Sequence, residues 1–281
     1  MSALVVLAVL GSALLHGTWN AIAKSLPSPL ASSTLMGIVY LCAGGIGCLL
    51  MPVPDPAAWP FLTASALAQT LYLLLLTAAY ARTEFGRAYP LARGASVLGV
   101  TAAAAVLFGE RLTPLQLAGV AIVTGSLFAL SVTKGALRDL ASTGLILAVG
   151  ATVTVYSVID GAGVRLSGHA LSYAAWLFLL QGVTIPLACL VLARDRRALL
   201  HDVRTLAPRG VAGGVVSLVA YTIVVWAQSV APLAVVSALR ETSVLVAGVI
   251  GWVFFREPLR AWRIVASVAA AAGIALVRLG A

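Results

Sequence analysis

Apolar residues in this chain come in continuous runs of about twenty, separated by short polar breaks, and neither alternate nor form narrow stripes. The runs cover approximately 3–23, 30–51, 58–80, 86–108, 114–133, 141–161, 170–193, 209–228, 233–255 and 260–279. Each is long enough to cross a hydrocarbon layer of roughly 30 Å. Lipid offers no partner to an open backbone, so each run is expected to be helical. The breaks carry turn and charge signals, among them Pro52-Val-Pro-Asp-Pro56, Gly109-Glu-Arg-Leu-Thr-Pro114 and a basic stretch over 194–209. The pattern predicts an all-α integral membrane protein with ten transmembrane helices.

Composition sharpens this picture. Hydrophobic residues make up 61% of the 281 and charged residues only 10%, with a mean hydropathy of +1.05. Soluble domains run nearer half apolar and a quarter charged. The ten runs use most of the chain and leave no soluble domain to house an enzyme. The first run is hydrophobic enough for a signal peptide, but it lacks a basic leading segment and carries His16, Trp19 and Asn20. It is therefore expected to stay as the first membrane helix. Cys42, Cys48 and Cys189 lie in apolar runs without ligand-spaced partners and read as packing residues.

A net charge of +9 raises the question of nucleic acid, but no basic, aromatic-interleaved segment is present to bind it. The charge follows the loops instead. After the odd-numbered helices lie Lys24, Arg82, Arg87, Lys134, Arg138, Arg194, Arg196, Arg197, Arg204, Arg209, Arg256, Arg260 and Arg263; the other side has Arg111, Arg165 and Arg278. Thirteen against three puts the odd loops in the cytoplasm and both ends of the chain outside, in a multi-pass plasma-membrane protein.

The chain also repeats itself. Arg93-Gly-Ala-Ser-Val-Leu and Arg240-Glu-Thr-Ser-Val-Leu share R-x-x-S-V-L. One gapless shift of 147 places Arg93 on Arg240, Glu110 on Glu257 and Leu112 on Leu259. Five helices per unit is an odd number, so the units, 1–135 and 136–281, should run oppositely through the membrane. Secondary transporters use that inverted plan, with the solute site at the repeat interface.

Phe108-Gly-Glu-Arg-Leu-Thr113 and Phe254-Phe-Arg-Glu-Pro-Leu259, each followed by an apolar helix, carry a resemblance. The chain resembles a ten-helix member of the drug/metabolite transporter superfamily, of the EamA type with two five-helix repeats. His16-Gly-Thr-Trp-Asn20, Tyr89-Pro-Leu-Ala-Arg-Gly94, Tyr156-Ser-Val-Ile-Asp-Gly161 and Ala238-Leu-Arg-Glu-Thr-Ser243 are similar to an EamA branch linked by name to phosphonate use, which identifies no solute. The resemblance implies transport, and it implies that the fifth and tenth helices are peripheral while the others surround a central path.

Candidate chemistry lies in the polar residues inside the runs. Arg93 and Arg240 sit several residues into their helices, where a charge is costly, and either pair internally or present forked donors to a carboxylate or phosphate. Glu241 and Asp160 are the acids: each either holds an arginine (for Asp160, also Arg165), meets a cationic group or carries a coupling proton. His16, Trp19 and Asn20 share one side of the first helix, and Tyr156 and Asp160 correspond to His16 and Asn20 at an offset of 140. Tyr72, Tyr80, Tyr221 and Trp226 are expected to contribute aromatic walls. The predicted substrate-binding set is thus His16, Trp19, Asn20, Tyr72, Arg93, Tyr156, Tyr221, Trp226, Arg240 and Glu241. Proton coupling falls to His16, Asp160 or Glu241, and Glu110 and Glu257 read as caps or ion-pair partners.

No phosphate-cradling loop, metal-spaced Cys/His cluster or nucleophilic triad is legible, so no cofactor, metal or enzymatic activity is expected. The reading is a secondary transporter moving a small anionic or zwitterionic metabolite by alternating access, as exporter or exchanger. A drug or cation exporter and an uptake carrier are the rivals within transport; a lipid translocase or an intramembrane enzyme is the rival outside it. The expected partners are the solute and the bilayer, and the sequence leaves room for a homo-oligomer.

Overall fold

The computed structural model of the protein describes residues 2–131, 140–255 and 261–280. The described residues are helical almost throughout: α1 Ala3–Ser25, α2 Pro29–Leu50, α3 Trp59–Arg82, α4 Phe85–Phe108, α5 Pro114–Ser131, α6 Leu140–Leu166, α7 Ala170–Leu192, α8 Arg196–Thr205, α9 Ala207–Val230, α10 Leu233–Arg240, α11 Thr242–Phe255 and α12 Ala261–Leu279. Among them, eight helices (α1 to α7 and α9) are long and apolar enough to cross a membrane. The expected loop residues Lys134, Arg138, Arg256 and Arg260, and the paired glutamate Glu257, lie outside the described residues.

Two expectations need correction. The basic stretch after α7 contains a short helix, α8, started by Asp195, whose carboxylate accepts from the backbone N–H groups of Arg197 and Ala198 (2.8 and 3.1 Å). Of its ten residues only Leu199 is buried, as suits a helix lying along a membrane surface. The expected helix over 233–255 is interrupted at Glu241, which gives the eight-residue α10 and the fourteen-residue α11. The interruption falls where the Glu241 side chain is committed to another helix.

The two halves of the sequence interleave. α2 packs on α7, α3 on α6, α1 on α9 and α5 on α12, so each of these partnerships joins one half to the other. In lipid there is no hydrophobic drive between helices, and close backbone approach through small residues takes its place. Gly44 of α2 and Gly182 of α7 are reciprocal: a Cβ on Gly44 would lie 2.4 Å from Leu179 N, and one on Gly182 would lie 2.3 Å from Leu41 N. α4 ends at Gly109, whose φ of +64° closes the helix in the left-handed region.

Glu110, next in the chain, is a cap as expected, but for a distant helix. Its carboxylate accepts from the backbone N–H groups of Leu233 and Ala234 (2.9 and 3.2 Å) at the start of α10, where helix donors have no internal partner and the helix dipole favours an anion. Arg165, at the end of α6, lies 3.5 Å from the same carboxylate.

Packing this close makes a prediction. Gly182→Val drives a branched side chain into the α2 backbone and should cost about 1–3 kcal/mol or more, read as a lower Tm in detergent. Gly45→Val, with nothing within 4 Å of its Cβ, should leave Tm nearly unchanged. Equal shifts for the two would contradict this packing.

Candidate functional site

The polar residues of α1 are bound largely to one another and to α3. Trp19 Nε1 donates to His16 Nδ1 (3.1 Å), and Asn20 Nδ2 donates to the backbone oxygen of His16 (2.9 Å). Tyr80 OH of α3 donates to Asn20 Oδ1 (3.0 Å). Asn20 is thereby used as a tie between helices. Because His16 Nδ1 is an acceptor, the neutral ring carries its proton on Nε2.

The two arginines have different surroundings. Arg93 of α4 donates through Nε to Glu241 Oε2 (3.1 Å) and through Nη2 to Glu241 Oε1, a two-pronged pair with both side chains buried. Tyr89 OH, one turn earlier, donates to Ser243 Oγ (2.8 Å), fastening α4 to α11. Arg240 therefore does not pair with its sequence neighbour Glu241, which Arg93 holds. Arg240 is only 3% exposed, its Nη2 has no hydrogen-bond partner among the described residues, and its guanidinium carbon lies 5.9 Å from the Tyr221 ring centroid.

Asp160 of α6 is fully buried and receives three neutral donors: Tyr173 OH on Oδ1 (2.9 Å), and Gln69 Nε2 (2.9 Å) and Tyr221 OH on Oδ2. Arg165 is not its partner. That guanidinium donates instead to the backbone oxygens of Gln228 and Ala231 and to Glu110.

Between these groups lies a small cavity of about 30 Å³. Five predicted residues line it: His16, Trp19, Tyr72, Tyr156 and Tyr221. Its wall is an aromatic chain, Tyr72 to Tyr156 (5.4 Å between centroids), Tyr156 to Tyr221 (5.9 Å) and Tyr221 to Phe178 (6.4 Å). Asn20, Arg93, Arg240, Glu241 and Trp226 are not in the wall; Arg240 stands behind Tyr221, and the Arg93–Glu241 pair behind His16 and Tyr89. Sequence reasoning passed over Tyr40, Gln69, Phe178, Gln181 and Ser217, which also line it. Two of these carried a legible signal, since Gln69 and Gln181 are uncharged amides in the middle of apolar runs. A second cavity of about 170 Å³ adjoins the first, sharing Trp19, Met36 and Leu73 and reaching Lys24 and Tyr80 at the far ends of α1 and α3.

A polar and aromatic cavity with buried charges beside it is thus built from helices of both halves. Residues 142–279 match the model of the EamA-like transporter family. That segment is similar to this family, which is part of the drug/metabolite transporter superfamily. The EamA-like half therefore supplies Tyr156, Asp160, Gln181, Tyr221, Arg240 and Glu241 to the site. No curated protein sequence matches the chain significantly. Among solved structures, one described only as "Crystal structure of protein" aligns over 100% of both chains with a TM-score of 0.74 and 17% identity, so the whole fold, including the half before the EamA-like segment, recurs elsewhere.

The Arg93–Glu241 pair gives a test. Breaking a buried pair from one side strands the other charge and costs about 3–5 kcal/mol. Arg93→Met and Glu241→Leu should each lower Tm in detergent markedly, and the double variant should lose clearly less than their sum. Additive losses would mean that the two side chains do not depend on each other.

Proposed function

We propose that this chain is a secondary transporter of ten membrane spans, built as two inverted five-helix repeats, that moves a small anionic or zwitterionic metabolite by alternating access, as exporter or exchanger. The observation that carries the reading is a pair of matching clamps at opposite ends of the fold. Lys24, ending α1, donates to the backbone oxygens of Tyr80 and Thr83 (2.5 and 3.4 Å). Arg165, ending α6, donates to those of Gln228 and Ala231 (3.2 and 3.1 Å). The acceptors lie 148 residues apart in both cases (80 to 228, 83 to 231). The first helix of each half thus grips the end of the third helix of the same half, as two copies of one plan do.

Charge supports an electroneutral cycle. Taken in their charged forms, the two buried arginines beside the cavity, Arg93 and Arg240, balance the two buried acids, Asp160 and Glu241. A zwitterion adds no net charge. An anion leaves one charge uncompensated in a medium that tolerates none cheaply. It therefore travels with a proton, taken by His16, Asp160 or Glu241, or in exchange for another anion. Substrate contact is assigned to His16, Trp19, Tyr72, Tyr156 and Tyr221 in the wall, and to Asn20, Arg93, Trp226, Arg240 and Glu241 once the chamber opens.

Uptake into proteoliposomes across a panel of organic acids, amino acids and amines is the deciding experiment, and gradient-driven accumulation of no solute would end the transport reading. For a transported solute, Arg240→Lys keeps the charge but loses the planar fork. It should lower kcat/KM about tenfold or more, consistent with the loss of a charge-assisted hydrogen bond. Arg93→Lys should also impair transport, through Glu241. Wild-type kinetics in both variants would leave charge balance alone as the role of these arginines. For topology, a reporter active only in the cytoplasm should be silent when fused after Ala281 and active within α8; the opposite pattern would invert the orientation.

A further inference from the structure

At the central cavity, buried donors lack partners while the carboxylates beside it are already taken. Gln181 lies mid-way along α7, is 2% exposed and lines the cavity, and its Nε2 has no hydrogen-bond partner among the described residues. A buried amide donor left unmade costs about 1–3 kcal/mol, so such a group in a cavity wall calls for an acceptor that arrives from elsewhere. His16 points the same way. Its Nδ1 is occupied by Trp19, which leaves Nε2–H as the ring's donor. Behind the wall, Arg240 Nη2 is a third unpartnered buried donor.

The carboxylates are already engaged. Both oxygens of Glu241 accept from Arg93. Both oxygens of Asp160 accept from tyrosine hydroxyls, one of them also from Gln69. The hydroxyls of Tyr40 and Ser217 are paired with each other (2.6 Å). An ammonium group entering this chamber meets aromatic faces but no uncommitted carboxylate, whereas an oxyanion meets donors that have nothing else to bind.

We propose that the central cavity is a receptor for an organic oxyanion and discriminates against amines and amino acids, with Gln181 as its specificity-determining donor. This rests on the transporter reading and narrows its solute to the anionic class. His16 Nε2–H and the Gln181 amide take the oxyanion, and Arg240 supplies positive charge through the tyrosine wall. The aromatic chain from Tyr72 to Phe178 covers the solute's apolar part, and the absence of an uncommitted carboxylate leaves an added amino group without a counter-charge.

The test is ligand binding to the full-length protein in detergent, with no gradient, followed by quenching of tryptophan fluorescence and by thermal shift. It therefore stands or falls separately from transport. Two matched sets serve as probes: pentanoate, 2-aminopentanoate and pentylamine, and 3-phenylpropionate, phenylalanine and 3-phenylpropylamine. The carboxylates should bind saturably and at least about tenfold more tightly than the matching amino acid or amine. Gln181→Leu should weaken carboxylate binding about tenfold or more, without lowering the Tm of the ligand-free protein. Gln181→Asn should recover part of the affinity. Gln181→Glu, which keeps an acceptor and removes the donor, should abolish carboxylate preference, since an amide turned to present its oxygen would have the glutamate as a working substitute. Equal or tighter binding of the amines or amino acids, no binding of either carboxylate at millimolar concentration, or unchanged carboxylate affinity in Gln181→Leu or Gln181→Glu would each overturn the proposal.

Discussion

A guanidinium and a carboxylate placed deep in a membrane protein have no water to fall back on. Arg93 and Glu241 answer this by meeting prong to prong, and much of the site's arrangement follows. The pair joins α4 to the junction of α10 and α11, so the helix expected to be continuous is interrupted where its glutamate turns to serve another helix. It leaves Arg240 next to a neighbour that cannot neutralise it, and sets that second guanidinium against the Tyr221 ring. With Tyr221 also bound to Asp160, the same tyrosine meets one buried cation through its face and one buried anion through its hydroxyl.

The helices were legible because the bilayer imposes a minimum length that few alternatives satisfy. α1 was expected at 3–23 and spans Ala3–Ser25; α7 was expected at 170–193 and spans Ala170–Leu192. The interruption at Glu241 was not legible, because nothing local to Arg-Glu-Thr-Ser-Val-Leu forbids a helix, and the side chain that Glu241 meets there lies 148 residues away in Arg93. The helix α8 was hidden for a different reason: its charged residues look like a loop to any reading tuned to apolar runs.

The site divides along the same line. His16, Trp19, Tyr72, Tyr156 and Tyr221 declared themselves as polar or aromatic residues within apolar runs, and the fold gathers them around one chamber. What residue type alone does not encode is assignment, namely which acid takes which arginine and which donors are left over. Asp160 has Arg165 five positions later in the same helix, a spacing that turns the two to different faces, and takes Tyr173, Tyr221 and Gln69 instead. Gln181 was overlooked because one amide in an apolar helix is an ordinary way to tie two helices; only its missing partner sets it apart.

The short helix α10 has a consequence for how the molecule can move. Its eight residues are all buried, and at 1.5 Å per residue they span about 12 Å. One end hangs on Glu110 and the other, through Glu241, on Arg93, both from the opposite half of the sequence. α10 is thus a crossbar bolted at each end to the same foreign frame. Moved as a unit, such a bar loads the Glu110 cap and the Arg93–Glu241 pair at once. The two contacts that hold α10 in the fold are therefore mechanically one fastening rather than two.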